Sequence, residues 1–149
     1  MLGDFNAWIH YAAKRYYGML GDGQYGSSSG AVTKRGYVMA HFARFVTGMT
    51  RVEGVITDDA PTPLEGSVYL SQSGDTVVAV MINPSTDERS LTLDLPFYTL
   101  KGKMQSTTRT QNMLYTDLTQ KVETCRPEVV IAPASVNTIL FVRSRDRQV

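Results

Sequence analysis

Two runs in the first third of the chain decide the predicted fold: NAWIHYAAKRYYG at residues 6–18 and TKRGYVMAHFARFV at residues 33–46. In the first run, residues 7–12 have large apolar side chains on both faces of a predicted strand, which is typical of a strand that is covered on both sides. In the second run, Thr33 can cap a helix, and Gly48 is the predicted helix stop. The apolar stripe of this helix consists of Val38, Phe42, Phe45, Val46 and Met49.

A Gly- and Ser-rich loop joins the predicted strand to the predicted helix. Strand, loop and helix in this order form the repeating unit of a (β/α)8 barrel, whose binding sites lie in the loops that follow the strands. One unit cannot close a barrel, and the strand begins almost at residue 1. We therefore expect residues 1–50 to be the last strand–loop–helix unit of a barrel that is truncated in this chain.

From residue 51 onward the hydrophobic pattern changes to the period of two that is typical of strands. Residues 67–71 and 76–82 are predicted to form a hairpin with its turn at residues 73–75, and the second strand is apolar enough to be buried on both faces. Short strands at this spacing predict that residues 51–149 form an antiparallel β-sandwich. The other predicted elements are a strand with Leu91, Leu93 and Leu95, strands near residues 103–109, 128–131 and 135–142, and an irregular loop at residues 110–126.

The composition argues against several classes of function. The 149 residues carry a formal net charge of +1, and the pI is about 7.8, so no nucleic-acid partner is predicted. No apolar run is long enough to cross a membrane, and the N-terminus lacks the pattern of a signal peptide. Cys125 has no second cysteine for a disulfide. The glycines do not form a phosphate-binding motif, and no cofactor is predicted.

The two histidines are not expected to bind a metal ion. Neither His10 nor His41 has a second His, Cys or carboxylate at the short spacing that is typical of a zinc site. We predict that both are packing residues with satisfied hydrogen bonds, and that the chain has no metal site.

The loop after the first strand is the candidate binding site. Arg15 lies among Tyr11, Tyr16 and Tyr17. A guanidinium group can fork onto a carboxylate while phenol rings stack and form hydrogen bonds, so this set suits a sugar acid. The alternative is a surface arginine that stacks on tyrosines at the base of a loop.

Three segments also carry a resemblance to a known family: NAWIHYAAKRYYGMLGDG, TKRGYVMAHFARFV and GSVYLSQSGDTVVAVMINPS. Together they resemble the C-terminal part of glycoside hydrolase family 30, particularly its bacterial glucuronoxylanase branch. The resemblance implies that a last barrel strand and helix lead into a β-sandwich side domain. It also implies that the parent enzyme is extracellular or periplasmic and that its partner is a glucuronoxylan-like polysaccharide.

The resemblance implies a substrate-binding role for three residues. Arg15 and Tyr17 match the Arg and Tyr that grip the glucuronic acid branch of xylan in the glucuronoxylanases. Tyr11 falls where the family usually has an aromatic residue that lines the same pocket, commonly Trp. The presence of His10 and Tyr11 in place of two tryptophans is a departure that bears on which sugar is bound.

The resemblance also implies that the catalytic groups lie outside this chain. A retaining glycosidase needs two carboxyl groups about 5 Å apart, and in the family these follow the fourth and seventh barrel strands, upstream of this sequence. Asp22, Asp58 and Asp59 match no such motif. We therefore predict no catalytic residue here, an inactive isolated chain, and a partner in the missing barrel portion of the same protein. The sandwich should have an unfinished edge, and the apolar faces of the strand and helix should require the rest of the barrel.

Two alternatives remain open beside this interpretation. The chain can be a carbohydrate-binding sandwich without catalysis, although the aromatic residues after residue 51 form no clear row in the sequence. It can also be a structural module that supports another domain, which a strongly apolar first unit would favour. The aromatic residues in question are Tyr69, Phe97, Tyr98, Tyr115 and Phe141.

Overall fold

A computed structural model describes residues 11–57 and 60–144. Within these residues the chain forms one helix, α1 (Lys34–Ala43), as predicted. Thr33 is its N-cap, and its side-chain oxygen accepts a hydrogen bond from the Gly36 amide at 3.2 Å. The regular helix ends earlier than the predicted residue 46, and turns follow it as far as Gly48, which has a φ of +77°.

Eight strands follow the helix in the described part of the chain. Six of them form one antiparallel sheet in the order β1-β2-β3-β8-β5-β6, and β4 pairs with β7 in a second sheet. The bounds are β1 Thr50–Val52, β2 Glu65–Leu70, β3 Thr76–Asn83, β4 Arg89–Thr92, β5 Thr99–Thr107, β6 Leu114–Asp117, β7 Glu128–Ile131 and β8 Ser135–Arg143.

The predicted hairpin is confirmed as β2 and β3. Its turn contains Gly74 at a φ of +69°, a conformation that glycine adopts at little cost. The carboxylate of Asp75 accepts hydrogen bonds from the hydroxyl groups of Ser73 at 2.7 Å, Ser71 at 2.9 Å and Thr76 at 3.0 Å. These bonds, with Ser73 the largest contributor, lower the pKa of Asp75 from its ordinary value.

The two sheets enclose the first core. Ala79, Met81, Ile139 and Phe141 of the large sheet pack with Val129 and Ile131 of β7. The Phe141 ring lies over Gly102 of the paired strand, where a Cβ atom would overlap it. The antiparallel sandwich that the sequence predicted is therefore confirmed. Leu91, Leu93 and Leu95 pack against this core as expected, although only Leu91 lies within β4.

The opposite face of the large sheet holds the second core. Tyr69, Val78 and Val80 of the sheet pack against Phe42, Phe45, Val46 and Met49 of the helical segment. The expectation that the apolar face of the helix requires a partner beyond this chain stays a prediction, because these four residues have a partner within the chain and are each only partly buried by it. Their partner is the chain's own sheet.

His41 joins the helix to the sheet. It is fully buried, its Nδ1 atom lies 2.8 Å from Thr138 Oγ1, and its Nε2 atom lies 2.9 Å from Thr107 Oγ1. The Thr138 hydroxyl also lies 3.3 Å from the His41 carbonyl, and the Met113 amide donates to Thr107 Oγ1. If Nδ1 carries the proton, each of these groups has a partner. Nδ1 then donates to the Thr138 hydroxyl, which donates to the His41 carbonyl, and the Thr107 hydroxyl donates to Nε2. The prediction that His41 is a satisfied packing residue is confirmed.

Other predictions need correction or fall outside the described residues. The irregular loop predicted at residues 110–126 contains β6, an exposed edge strand that pairs with β5. The predicted strand at residues 7–12 lies mostly outside the described residues, as does His10, and Tyr11 and Ala12 are not in a strand.

Candidate functional site

The glycine-rich loop, residues 13–33, begins with a tight turn closed by backbone hydrogen bonds. The Leu20 amide donates to the Ala13 carbonyl at 2.8 Å, the Arg15 amide to the Leu20 carbonyl at 3.0 Å, and the Gly18 amide to the Arg15 carbonyl at 2.9 Å. A Cβ atom at Gly18 would lie 2.8 Å from the Arg15 nitrogen. The turn that carries the candidate residues therefore requires glycine at position 18.

The second half of the loop is ordered by its own polar side chains. The Asp22 carboxylate accepts a hydrogen bond from the Gln24 amide at 3.0 Å, and the Ser27 hydroxyl donates to the Gln24 carbonyl at 2.8 Å. Tyr25 lies between them at a φ of +50°, which is uncommon for a residue with a side chain. The loop therefore holds Tyr25 in a conformation that exposes 87% of it.

The start of α1 binds three successive carbonyl groups of the loop. The Arg35 Nη1 atom donates to the Tyr17 carbonyl at 2.5 Å, and the Thr33 hydroxyl donates to the Gly18 carbonyl at 2.6 Å. The Thr33 amide donates to the Met19 carbonyl at 2.9 Å. A Cβ atom at Gly36 would overlap the Met19 oxygen, so the loop and helix can approach this closely only because residue 36 is glycine.

These contacts shape an aromatic cavity of about 670 Å³. The Tyr16 and Tyr17 ring centroids lie 4.9 Å apart at 86°, and the Tyr16 and Tyr25 centroids lie 4.5 Å apart. Backbone of the loop forms the rest of the wall together with polar and basic side chains. Those side chains belong to Ser27, Ser28, Thr33, Lys34 and Arg35.

The structure places the three predicted residues differently. Tyr17 is half-buried and lines the cavity, whereas Arg15 and Tyr11 are exposed and are not part of its lining. Tyr11 is 77% exposed. Their assignment to a sugar acid stays a prediction.

Sequence reasoning missed Tyr25 and Arg35. Tyr25 stands alone in the glycine-rich loop, and Arg35 belongs to the helix pattern, so no local pattern connects either residue with Tyr17. The one available signal was charge: residues 13–35 contain four basic side chains and a single carboxylate, Asp22. That balance favours an anionic ligand.

The described residues give no sign of a metal centre or a membrane helix. Among residues 11–57 and 60–144, no group of three or more His, Cys, Asp or Glu side chains is arranged to hold a metal ion. No helix in the same residues is long and apolar enough to span a membrane. Asp22 serves as an acceptor in its own loop, and Asp58 and Asp59 lie outside the described residues.

The fold is that of the β-rich C-terminal region of xylanases of glycoside hydrolase family 30. A subfamily 8 xylanase from Clostridium acetobutylicum superposes with a TM-score of 0.69 at 20% identity, covering 84% of this chain and 30% of that one. An endoxylanase of the family from Clostridium papyrosolvens gives a TM-score of 0.65 at 22% identity, with coverages of 76% and 28%. At these identities the likeness concerns the fold alone.

Similarity in sequence leads to a narrower group of relatives. Glucuronoxylanase XynC from Bacillus subtilis strain 168 is 38% identical over 85 residues, which are 56% of this chain and 18% of that protein. No family model matches the chain. The predicted resemblance to the C-terminal region of glucuronoxylanase-like members of family 30 is confirmed, and the chain spans less than a fifth of the curated relative's length.

A third relative combines structural and sequence similarity. A conserved exported protein from Bacteroides fragilis has a TM-score of 0.57 at 30% identity, covering 74% of this chain and 22% of that one. Like the xylanases, it is several times longer than the part that this chain matches.

Proposed function

We propose that this chain is the C-terminal part of a retaining glycoside hydrolase that acts on glucuronoxylan. The observation that carries the proposal is the 38% identity with a glucuronoxylanase. The basic, tyrosine-rich loop supports it, because an acidic sugar branch needs both a cationic group and flat apolar surface. The catalytic carboxylates would lie in the part of the enzyme that this chain does not contain.

Within that enzyme, the glycine-rich loop would bind the acidic branch. Arg15 is exposed and offers two parallel N–H groups to a carboxylate, while the half-buried Tyr17 offers a ring and a hydroxyl group. Tyr11 would add a second aromatic surface. The likeness to an exported bacterial protein supports an extracellular or periplasmic location.

A structural role has one observation of its own. The Lys34 ammonium donates to the Thr108 carbonyl at 2.8 Å, to the Gln111 carbonyl at 3.2 Å and to the Asn112 side chain. The loop between β5 and β6 therefore holds the start of the helix that borders the candidate site. On this second candidate function, the sandwich supports the site without contacting the polysaccharide.

The test compares reducing-sugar release from glucuronoxylan and from unbranched xylan. The chain alone should release no sugar, and the chain joined to its upstream coding sequence should be active. Activity of the isolated chain would contradict the proposal and would direct attention to Asp22, Asp58 and Asp59.

The variant Arg15→Ala tests the binding role in the joined protein. Loss of a charged hydrogen bond costs about 1.5–3 kcal/mol, so kcat/KM on glucuronoxylan should fall about 10- to 150-fold. Activity on unbranched xylan should stay within about twofold. Arg44→Ala is the matched control, because Arg44 is exposed on the helical segment and stacks on Phe45. Equal losses on both substrates would contradict a branch-binding role.

A further inference from the structure

We propose that Arg35 is a positioning residue that orients the turn carrying Arg15 and Tyr17. This inference rests on the proposed function of that turn as a site for an acidic sugar branch. Arg35 touches the backbone of the turn, and its effect on the ligand would pass through Tyr17.

The peptide plane between Tyr17 and Gly18 is the point of contact. The Tyr17 carbonyl and the Gly18 amide belong to the same planar unit. Arg35 Nη1 donates to the carbonyl at 2.5 Å, and the amide donates to the Arg15 carbonyl at 2.9 Å. Both sides of the plane are therefore held, which fixes the backbone between the two candidate binding residues.

Thr33 cannot replace this contact. Its hydroxyl and amide groups hold the next two carbonyls, of Gly18 and Met19, and so act beyond Tyr17. Without Arg35 the plane keeps only the Gly18 amide bond and can rotate about it. The guanidinium group also lines the cavity, and its planar set of N–H groups has a fixed geometry that a lysine cannot reproduce.

The first experiment measures amide hydrogen exchange in the full chain without ligand. Loss of a hydrogen bond worth about 1 kcal/mol should speed exchange of the Gly18 amide about fivefold in Arg35→Met. Arg35→Lys should recover part of the protection, and Arg44→Met should match the unchanged protein. An unchanged Gly18 exchange rate in Arg35→Met would overturn the proposal.

The second experiment measures kcat/KM in the joined protein. The substrates are a xylo-oligosaccharide with one glucuronic acid branch and the unbranched oligosaccharide of the same backbone length. Arg35→Met should reduce the preference for the branched substrate about tenfold, a change of about 1.4 kcal/mol. The melting temperature should shift by less than about 4 °C, since a purely structural role would change stability and leave the preference intact.

Arg15→Ala separates the two proposals. If Arg15→Ala abolishes the preference and Arg35→Met retains it, the positioning role is wrong and the proposed function stands. If Arg15→Ala retains the preference, or the unchanged joined protein shows none, the proposed function fails and the positioning role fails with it.

Discussion

Tyr25 is the most exposed aromatic side chain of the glycine-rich loop. Its φ of +50° costs an ordinary residue about 1 kcal/mol or more. The Asp22 and Ser27 hydrogen bonds offset that cost by ordering the turn around it. The loop thus places the exposed Tyr25 ring on the wall of the cavity, with its centroid 4.5 Å from the Tyr16 centroid.

Replacing Tyr25 should therefore weaken ligand binding without weakening the fold. An aromatic contact contributes about 0.5–1.5 kcal/mol, so Tyr25→Ala should raise the Kd of the branched oligosaccharide about 2- to 12-fold in calorimetry. Tyr115→Ala removes another exposed ring, from β6, and is the control. Equal effects of the two variants would show that Tyr25 is not part of the site.

Among the residues of the candidate site, the sequence predicted only those that lie close together in one local motif. Arg15 and Tyr17 are two positions apart, so their association was visible without a structure. Arg35 is 18 residues from the carbonyl that it binds, and the contact exists only because the loop returns to the helix start. A contact between residues this far apart in the chain leaves no periodic pattern in the sequence.

At the scale of elements, the loop and the helix meet in a close backbone contact. Gly36 is buried in α1 against the Met19 carbonyl. Glycine within a helix usually destabilises it by about 1 kcal/mol relative to alanine. At Gly36 the absence of a Cβ atom allows the Met19 carbonyl to lie against the helix, which closes the loop.

Gly36→Ala should therefore destabilise the protein, against the usual helix propensity. We expect the free energy of unfolding to fall by about 1–3 kcal/mol, because the added Cβ forces the loop away from the helix. Urea denaturation of the full chain measures this change. Ala43→Gly is the control, because residue 43 is exposed and the change affects helix propensity alone. It should lower the free energy of unfolding by about 1 kcal/mol. A stabilised Gly36→Ala variant would contradict the packing argument.

The sequence predicted the elements with strong periodicity and missed the two short edge strands of the large sheet, β1 and β6. The helix and the hairpin have regular apolar spacing, and both were confirmed. Three of the four residues of β6 are exposed, and it lies at the edge of the sheet, so no apolar alternation marks it. Edge strands of this kind depend on pairing with a neighbour, which local sequence does not encode.

At the scale of the molecule, His41 holds two layers together through a polar contact in an apolar setting. Burial lowers its pKa from 6.5 to about 4, since a charged ring would lose its hydration there. Between these values the unfolded chain therefore binds a proton that the folded chain does not. Stability is full above pH 6.5 and declines as the pH falls toward 4.

The free energy of unfolding should fall by about 3 kcal/mol in total across this range. Urea denaturation at several pH values between 7.5 and 4 measures the slope. His41→Gln, which keeps hydrogen-bonding groups but does not titrate, should remove most of it. The lowered pKa values of Asp75 and Asp117 lie below 3.8, so these carboxylates act at lower pH. If the free energy of unfolding of His41→Gln still falls with pH to the same extent, titratable groups other than His41 cause the pH dependence.

The two-sheet sandwich was predictable from the sequence. The packing of the helical segment on the outer face of its large sheet was not. Alternating apolar residues predicted strands with a buried face, and β3 was expected to be buried on both. The cover on its second face is the chain's own helical segment, through Phe42, Phe45 and Val46. A helical stripe indicates that a partner is needed, and only the structure identifies that partner.

The double burial of β3 also determines how this protein tolerates mutation. The five positions from Val77 to Met81 are at most 4% exposed, so neither side of the strand offers a place for a polar substitution. In β7, by contrast, Val129 and Ile131 are buried and Val130 is exposed. In a saturation mutagenesis map, β3 should form an unbroken block of intolerant positions, and β7 should alternate.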